Sequence, residues 1–276
     1  MQPRSFLPSR LRILQATAVC LALLLLYAVS NALYPEKVLK LTEVLPPTAL
    51  KEIPKNLSGL TWNAESGTLF AVANDPEYAF ELSTDGHILR SIRLRGFEDT
   101  EGITHIGGTL FAVVEERRGV LSIFDIPARA TEIGHDVARQ LDLGQTPEKN
   151  KGFESLGYDP AGRTIFTMRE GKPFVRLDIP LDEKFRPGTV RTRPLPALKV
   201  KDVAAIEFTP NGHLWVLSEA SARIVELGPD GEALRTFGLD IDRKRFQPEG
   251  MTLGPDGTIY VAGEPNILAV YRAPGN

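Results

Sequence analysis

The chain has 276 residues, 42% of them apolar and 8% aromatic, which describes a folded globular protein and excludes a disordered one. The formal net charge is −3, and removing the first 34 residues leaves 29 basic against 35 acidic groups. Without a basic face, nucleic acid is not an expected partner.

From the N-terminus, Arg4, Arg10 and Arg12 precede an uncharged run from Ile13 to Tyr34. Twenty-two residues, at about 1.5 Å each in a helix, can cross a hydrocarbon core of about 30 Å. Basic residues before the span hold that end in the cytoplasm. Residues 1–34 are therefore expected to be a cytoplasmic tip and transmembrane signal anchor. The remainder would lie on the periplasmic or extracellular side of the plasma (inner) membrane. A cleaved signal peptide is the alternative, with Ser30 and Ala32 forming a small-x-small site, although its apolar region usually runs only about 7–15 residues. The single cysteine, Cys20, sits inside the span. The exported part has no disulfides and must be held by packing.

Beyond the anchor a heptad recurs: "NLSGLTW" at Asn56, "DTEGITH" at Asp99, "GFESLGY" at Gly152, "DVAAIEF" at Asp202 and "QPEGMTL" at Gln247, at spacings of 43, 53, 50 and 45. Each is followed by a Gly-containing turn and a second apolar run: "LFAVAND", "LFAVVEE", "IFTMREG", "LWVLSEA" and "IYVAGEP". A third and a fourth run follow, as in "YAFELST" and "ILRSIRL". Short β-branched and aromatic runs between Gly, Asn and Asp turns read as antiparallel strands. Four strands in a repeat of this length predict a β-propeller, here with five blades spanning 36–273. A β-sandwich with coincidental spacing is the competing fold. The fifth repeat lacks a fourth strand, and "VLKLTEV" (Val38 to Val44) is expected to supply it by pairing with Ile267 to Arg272. That pairing would close the ring and remove two sheet edges.

The region 36–273 resembles the SdiA-regulated family of bacterial membrane-anchored proteins. The resemblance is carried by "LSGLTWNAESGTLFAV", "DTEGITHIGG", the "EER" after a second strand, "GFESLGY", "DVAAIEF" and "GEPN". It implies an all-β, NHL-like five-bladed propeller with a calcium site, and implies no established reaction.

In a propeller the start of each first strand and the end of each second strand emerge on one face near the axis. Heptad position three gives Ser58, Glu101, Glu154, Ala204 and Glu249; the sixth position of the second runs gives Asn74, Glu115, Glu170, Glu219 and Glu264. Clustered carboxylates repel unless a cation compensates. Calcium takes six to eight oxygen ligands, so Glu101, Glu154, Glu249, Glu115, Glu170, Glu219, Glu264 and Asn74 are the candidate metal ligands. The competing account pairs these acids with Arg117, Arg118, Arg169 and Arg223 in a salt-bridge network. Glu207, where other repeats carry Thr or Gly, offers a further carboxylate deeper in the channel or a simple salt bridge.

Two functions follow from these residues. The first is a membrane-anchored, exported calcium-binding propeller acting as an interaction module, with a protein partner on the carboxylate face. The second is a metal-dependent hydrolase of the lactonase or esterase type at the mouth of the channel. No Ser–His or Cys–His arrangement, metalloprotease motif, P-loop or EF-hand loop is present.

Overall fold

The computed structural model describes residues 37–144 and 152–275. Five sheets with antiparallel cores follow one another along the chain, four of them built on successive strands and the fifth completed by a strand from the N-terminal side. Blade 1 comprises Leu57–Asn63, Thr68–Ala73, Tyr78–Leu82 and Ile88–Arg95; blade 2 comprises Thr100–Gly107, Leu110–Glu115, Val120–Asp125 and Arg139–Asp142. Blade 3 runs through Phe153–Asp159, Thr164–Arg169, Val175–Pro180 and Arg191–Pro194, and blade 4 through Ala205–Phe208, Leu214–Ser218, Arg223–Leu227 and Ala233–Gly238. Blade 5 contains Gln247–Leu253, Thr258–Glu264 and Ile267–Arg272, with Thr42–Ala49 as its fourth strand. The protein is a five-bladed β-propeller. Among the described residues the only helical element is the 3₁₀ turn His135–Val137, and no helix is long and apolar enough to cross a membrane. The expected anchor at 13–34 lies outside the described residues.

Alternation along each strand gives every blade two apolar faces, one for each neighbour. Phe70 and Val72 pack with Phe111 and Val113 between blades 1 and 2, while Leu69 and Ala71 face Tyr260 and Ala262 of blade 5. The same pattern joins blades 2 and 3 through Val114 and Ile165, blades 3 and 4 through Met168 and Val216, and blades 4 and 5 through Leu217 and Val261. Five inter-blade cores close the ring without a disulfide.

Closure differs in register from the sequence expectation. Thr42 pairs with Arg272 and Ala49 with Ile267 in antiparallel fashion, so the fifth blade takes its outer strand from Thr42–Ala49 rather than Val38–Val44. Val38–Lys40 runs parallel to Thr236–Gly238 as a fifth strand on blade 4. The chain crosses between the blades at Leu41, which is buried in the core joining blades 4 and 5. Pro46 and Pro47 fall in the Thr42–Ala49 strand, where pairing is interrupted by irregularities between Glu43 and Leu45 and between Leu45 and Thr48. An outermost strand tolerates such prolines because its free edge needs no N–H donors. A similar short segment, Glu132–Gly134, adds a parallel strand to blade 1.

The innermost strands approach so closely that side chains do not fit between them. A Cβ on Gly59 would stand 2.5 Å from the Glu101 carbonyl oxygen, and one on Gly102 would stand 2.6 Å from that of Glu154. On Gly250 it would meet the Ser58 carbonyl oxygen at 2.4 Å and the Leu60 nitrogen at 2.7 Å. These obstacles are backbone and cannot swing aside. Gly250→Ala is therefore expected to wedge blades 5 and 1 apart, destabilising the fold by about 1–3 kcal/mol or more. Denaturant melts of the variant against the parent measure it.

Candidate metal centre on the propeller axis

The fourth heptad position sets the close approach, and the third is thereby carried to the axis. A pairing irregularity accompanies it in four blades. Thr100 and Gly102 pair with the adjacent residues Glu115 and Val114, leaving Glu101 as the extra residue. The same occurs at Glu154, between Phe153 and Ser155, and at Glu249, between Pro248 and Gly250. In blade 1 the shift spans Leu57 to Leu60 and includes Ser58. A bulge turns the local side chain out of strict alternation. Ser58, Glu101, Glu154, Ala204, Glu249 and Glu264 line one cavity of about 130 Å³. Residues from blades 1 to 5 thus share a single space that exists only when the ring is closed.

The charges in this space are poorly compensated. Burial raises Glu101 to about 8, with Asp99 and Glu116 adding repulsion, while hydrogen bonds from Ser58 and Asn74 act the other way. Asn74 Nδ2 donates to Glu101 Oε1 at 2.6 Å and is itself steadied by Asn56 Nδ2, which donates to Asn74 Oδ1 at 2.9 Å. Burial also raises Glu249 to about 9, reinforced by Glu101 and Glu264. Its hydrogen bond from Ser58 Oγ is 3.3 Å long. Glu154 stands well above the ordinary carboxylate range, through burial first and then Glu170, Glu101, Glu116 and Glu249. Of the arginines that a salt-bridge network would require, Arg118 does pair with one candidate acid, Glu115, while Arg117 and Arg169 are engaged with groups outside the candidate set. Arg117 pairs with Asp99 at 3.4 Å, Arg118 with Glu98 and Glu115 at 3.0 Å each, and the Arg169 guanidinium lies over the Phe153 ring at 4.9 Å.

The end of the second strand contributes unevenly. Backbone N–H groups of Asn74, Glu116 and Glu170 donate to the first heptad residue of their blades, Asn56, Asp99 and Gly152. The counterpart in blade 2 is therefore Glu116, and Glu115 is displaced by one. The cause is the turn. His105 pairs with Phe111, as Trp62 pairs with Leu69, so the second strand of blade 2 aligns on Phe111 rather than Leu110. Glu115 is wholly buried on the other side of the strand. It accepts hydrogen bonds from Ser122 Oγ, Arg118 Nη1 and the Glu98 N–H, and lies 2.9 Å from His135 Nε2. Asp99, Glu101 and Glu116 can each bring a carboxylate oxygen within 4.8 Å of the others, and Glu101 belongs both to that group and to the cavity. The signal for Glu116 was the doubled acid in "LFAVVEE"; Asp99, in a left-handed backbone conformation at φ 58, carried no comparable mark.

The remaining candidates divide. Glu264 lines the cavity, and Glu170 lies near enough to Glu154 to raise it. Glu219 is gripped by Arg243, whose Nη2 donates at 2.8 Å. In blade 4 the heptad supplies only Ala204, and Asp202 accepts hydrogen bonds from Ser218 Oγ and the Ala220 N–H. Glu207 is raised to about 8 by burial and accepts 2.8 Å from Thr252 Oγ1, a hydroxyl partner in place of the expected cation. Thr252 Oγ1 also accepts from the Trp62 N–H, joining blades 5 and 1.

Glu115 and Glu116 should accordingly separate on substitution. Glu115→Gln is expected to lower stability by about 1–3 kcal/mol, because charged hydrogen bonds are lost in a buried place, and to leave metal binding unchanged. Glu116→Gln should weaken metal binding while barely altering the metal-free melt. Calorimetric titration and thermal melts of both variants distinguish them.

A family profile described as SdiA-regulated matches residues 38–272. The chain belongs to the SdiA-regulated family. Among solved structures, the calcium-binding protein regucalcin from Agrobacterium tumefaciens aligns at a TM-score of 0.55 and 13% identity, over 86% of this chain and 95% of that one. A chain of a nidogen/laminin complex aligns at 0.51 and 13%, over 76% and 73%. A streptogramin B lyase aligns at 0.45 and 14%, covering 78% of this SdiA-regulated chain but 64% of the lyase. At these identities the likeness is one of fold. Propellers carry many functions on that fold.

Proposed function

We propose that this SdiA-regulated propeller binds a divalent cation on its axis and presents the surrounding acidic face to a partner. The observation that carries this reading is the cavity shared by Glu101, Glu154 and Glu249, whose strongest electrostatic neighbours are other carboxylates. Every donor there is oxygen. The histidines are committed elsewhere: His87 beside Asp85, His105 beside Glu65, His135 beside Glu115 and His213 beside Glu226. An all-oxygen, multi-carboxylate set suits calcium, which accepts many oxygen ligands in flexible geometry. Glu101, Glu154 and Glu249 would hold the ion, with Glu264 and Glu116 at the margins. A bound calcium would supply charge compensation and a polarising centre for water or a carbonyl oxygen. Isothermal titration of the metal-free protein with calcium tests the site. Saturable binding lost in Glu154→Gln supports it, whereas an equal heat in parent and variant rejects it.

A second reading, a hydrolase of the lactonase or esterase type, draws on Ala204. That blade lines the cavity without offering a donor, leaving a sector where water or substrate could reach the ion. Calcium-dependent turnover of a simple lactone, abolished by Glu154→Gln, would favour it over a binding module. Residues 13–34 would anchor the propeller to the plasma membrane with the carboxylate face on the exported side. N-terminal sequencing of the membrane-bound protein tests this, and a chain beginning near Tyr34 would show cleavage instead.

A further inference from the structure

A second cavity, of about 270 Å³, opens between blades 3 and 4. Thr164 and Phe208, on its wall, lie at the far ends of strands whose other ends reach the carboxylate ring, so this cleft belongs to the opposite rim. Its character is opposite as well. Arg176 and Asp178 project from the third strand of blade 3 and face Arg193 and Arg191 in register on the fourth. Three guanidinium groups against one carboxylate leave a net charge of +2 in a protein whose formal net charge is −3.

The arginines are not equivalent. Arg176 is buried and fixed: its Nε and Nη2 donate to the two oxygens of Asp178 at 2.6 and 2.9 Å, and its guanidinium lies 4.2 Å from the centre of the Phe166 ring. That pair neutralises Asp178 and forms a rigid floor. Arg193 is exposed and spans the cleft, with Nη1 donating to the Pro229 carbonyl of blade 4 at 2.9 Å. Arg191 is exposed and makes no ion pair among the described residues. Two guanidinium groups with donors to spare therefore stand on one wall. Across from them the wall is apolar, formed by Phe208, which packs 4.8 Å from Phe166, and by Pro229.

We propose that this inter-blade cleft binds a small organic acid, whose oxyanion is taken by Arg191 and Arg193 and whose apolar body lies against Phe208 and Pro229. A planar guanidinium accepts a carboxylate or phosphate through paired N–H donors, and the low volume restricts the ligand to a compact molecule. The cavity is lined half by polar and half by apolar groups, which neither an inorganic ion nor a hydrocarbon would satisfy. Carboxylate and phosphate share this chemistry, and the test separates them.

The experiment titrates benzoate, phenyl phosphate, benzyl alcohol and inorganic phosphate separately into the isotopically labelled protein and follows amide shifts by NMR. Benzoate, phenyl phosphate or both are expected to move amide resonances of residues 191–193 and 208, and of Gly228 and Asp230 flanking Pro229, saturably, and whichever binds more tightly identifies the oxyanion. Arg191→Gln, a change at an exposed and unpaired side chain, should weaken binding by about tenfold, equivalent to about 1.4 kcal/mol, with the melting temperature unchanged. Added salt should weaken it further. Benzyl alcohol binding as tightly as benzoate would overturn the anion role. Inorganic phosphate matching phenyl phosphate would overturn the apolar role. No saturable shift with any probe, or equal affinity in parent and Arg191→Gln, would overturn the site.

Discussion

Metal-free protein is expected to melt at progressively higher temperature as calcium is added, and Glu249→Gln to lose most of that rise. An ion that binds only the folded ring stabilises it by about 2.7 kcal/mol at a hundredfold excess over its dissociation constant. For a domain of this size that corresponds to roughly 5–10 °C. The selectivity for the folded state is built into the geometry, because Glu101, Glu154 and Glu249 come from blades 2, 3 and 5 and meet only in the closed ring. Gln at 249 keeps the shape and can still accept from Ser58, but it gives the ion one charge fewer. It also resembles the protonated acid that burial and the Glu101 and Glu264 charges favour. The metal-free variant should thus melt at or slightly above the metal-free parent. Magnesium, which demands tight octahedral geometry and keeps its water, should shift the parent less than calcium. A parent indifferent to millimolar calcium would leave the carboxylates as a proton-holding cluster and remove the metal centre.

The architecture was legible because it is repetitive. The heptad marks each inner strand, and its small fourth residue, Gly59, Gly102 or Gly250, is what close strand approach requires. Glu101, Glu154 and Glu249 stood out for the same reason, since one position recurs in blade after blade. What escaped is what breaks the repeat. The tight turn at Gly107–Thr109 shifts blade 2 by one residue, and in a strand a shift of one exchanges the two faces. Glu115 was thereby assigned to the axis when it is buried among Ser122, Arg118 and His135. Closure of the last blade by an N-terminal strand was legible, but the bounds and register of that strand were not. "VLKLTEVLPPTA" lacks a single alternating pattern because it serves two blades, with Leu41 as the crossing point and two prolines on the outer strand. The cleft between blades 3 and 4 has no repeat signature, and its arginines meet only through cross-strand register.

Acidity supplies the sharpest separation between the metal-free and metal-bound states. Glu101 and Glu249 are raised to about 8 and about 9, Glu154 stands well above the ordinary range, and Glu207 is raised to about 8. All four would titrate near 4.5 in the unfolded chain. Between that value and about 9 the folded metal-free protein therefore holds more protons than the unfolded one. Stability that is full below pH 4.5 must then fall as pH rises through the window, by about 1.4 kcal/mol per pH unit for each proton difference. Glu226, held below its ordinary value by Arg235 and His213 against the opposing effect of burial, contributes in the reverse sense, but only as pH drops through the acid range. Calcium should invert the alkaline limb, because the ion and the protons compete for the same oxygens. At pH 5 the sites are protonated and added calcium should change the melt little; at pH 8–9 the metal-free protein is weakest and the calcium-induced rise largest. Glu249→Gln should flatten the metal-free decline, since it removes one of the protons being lost. Melting temperatures from pH 5 to 9, with chelator and with calcium, trace both limbs. A metal-free protein that grows more stable from pH 5 to 9 would mean that the ring carboxylates are ionised and paired, against both their burial and their mutual proximity.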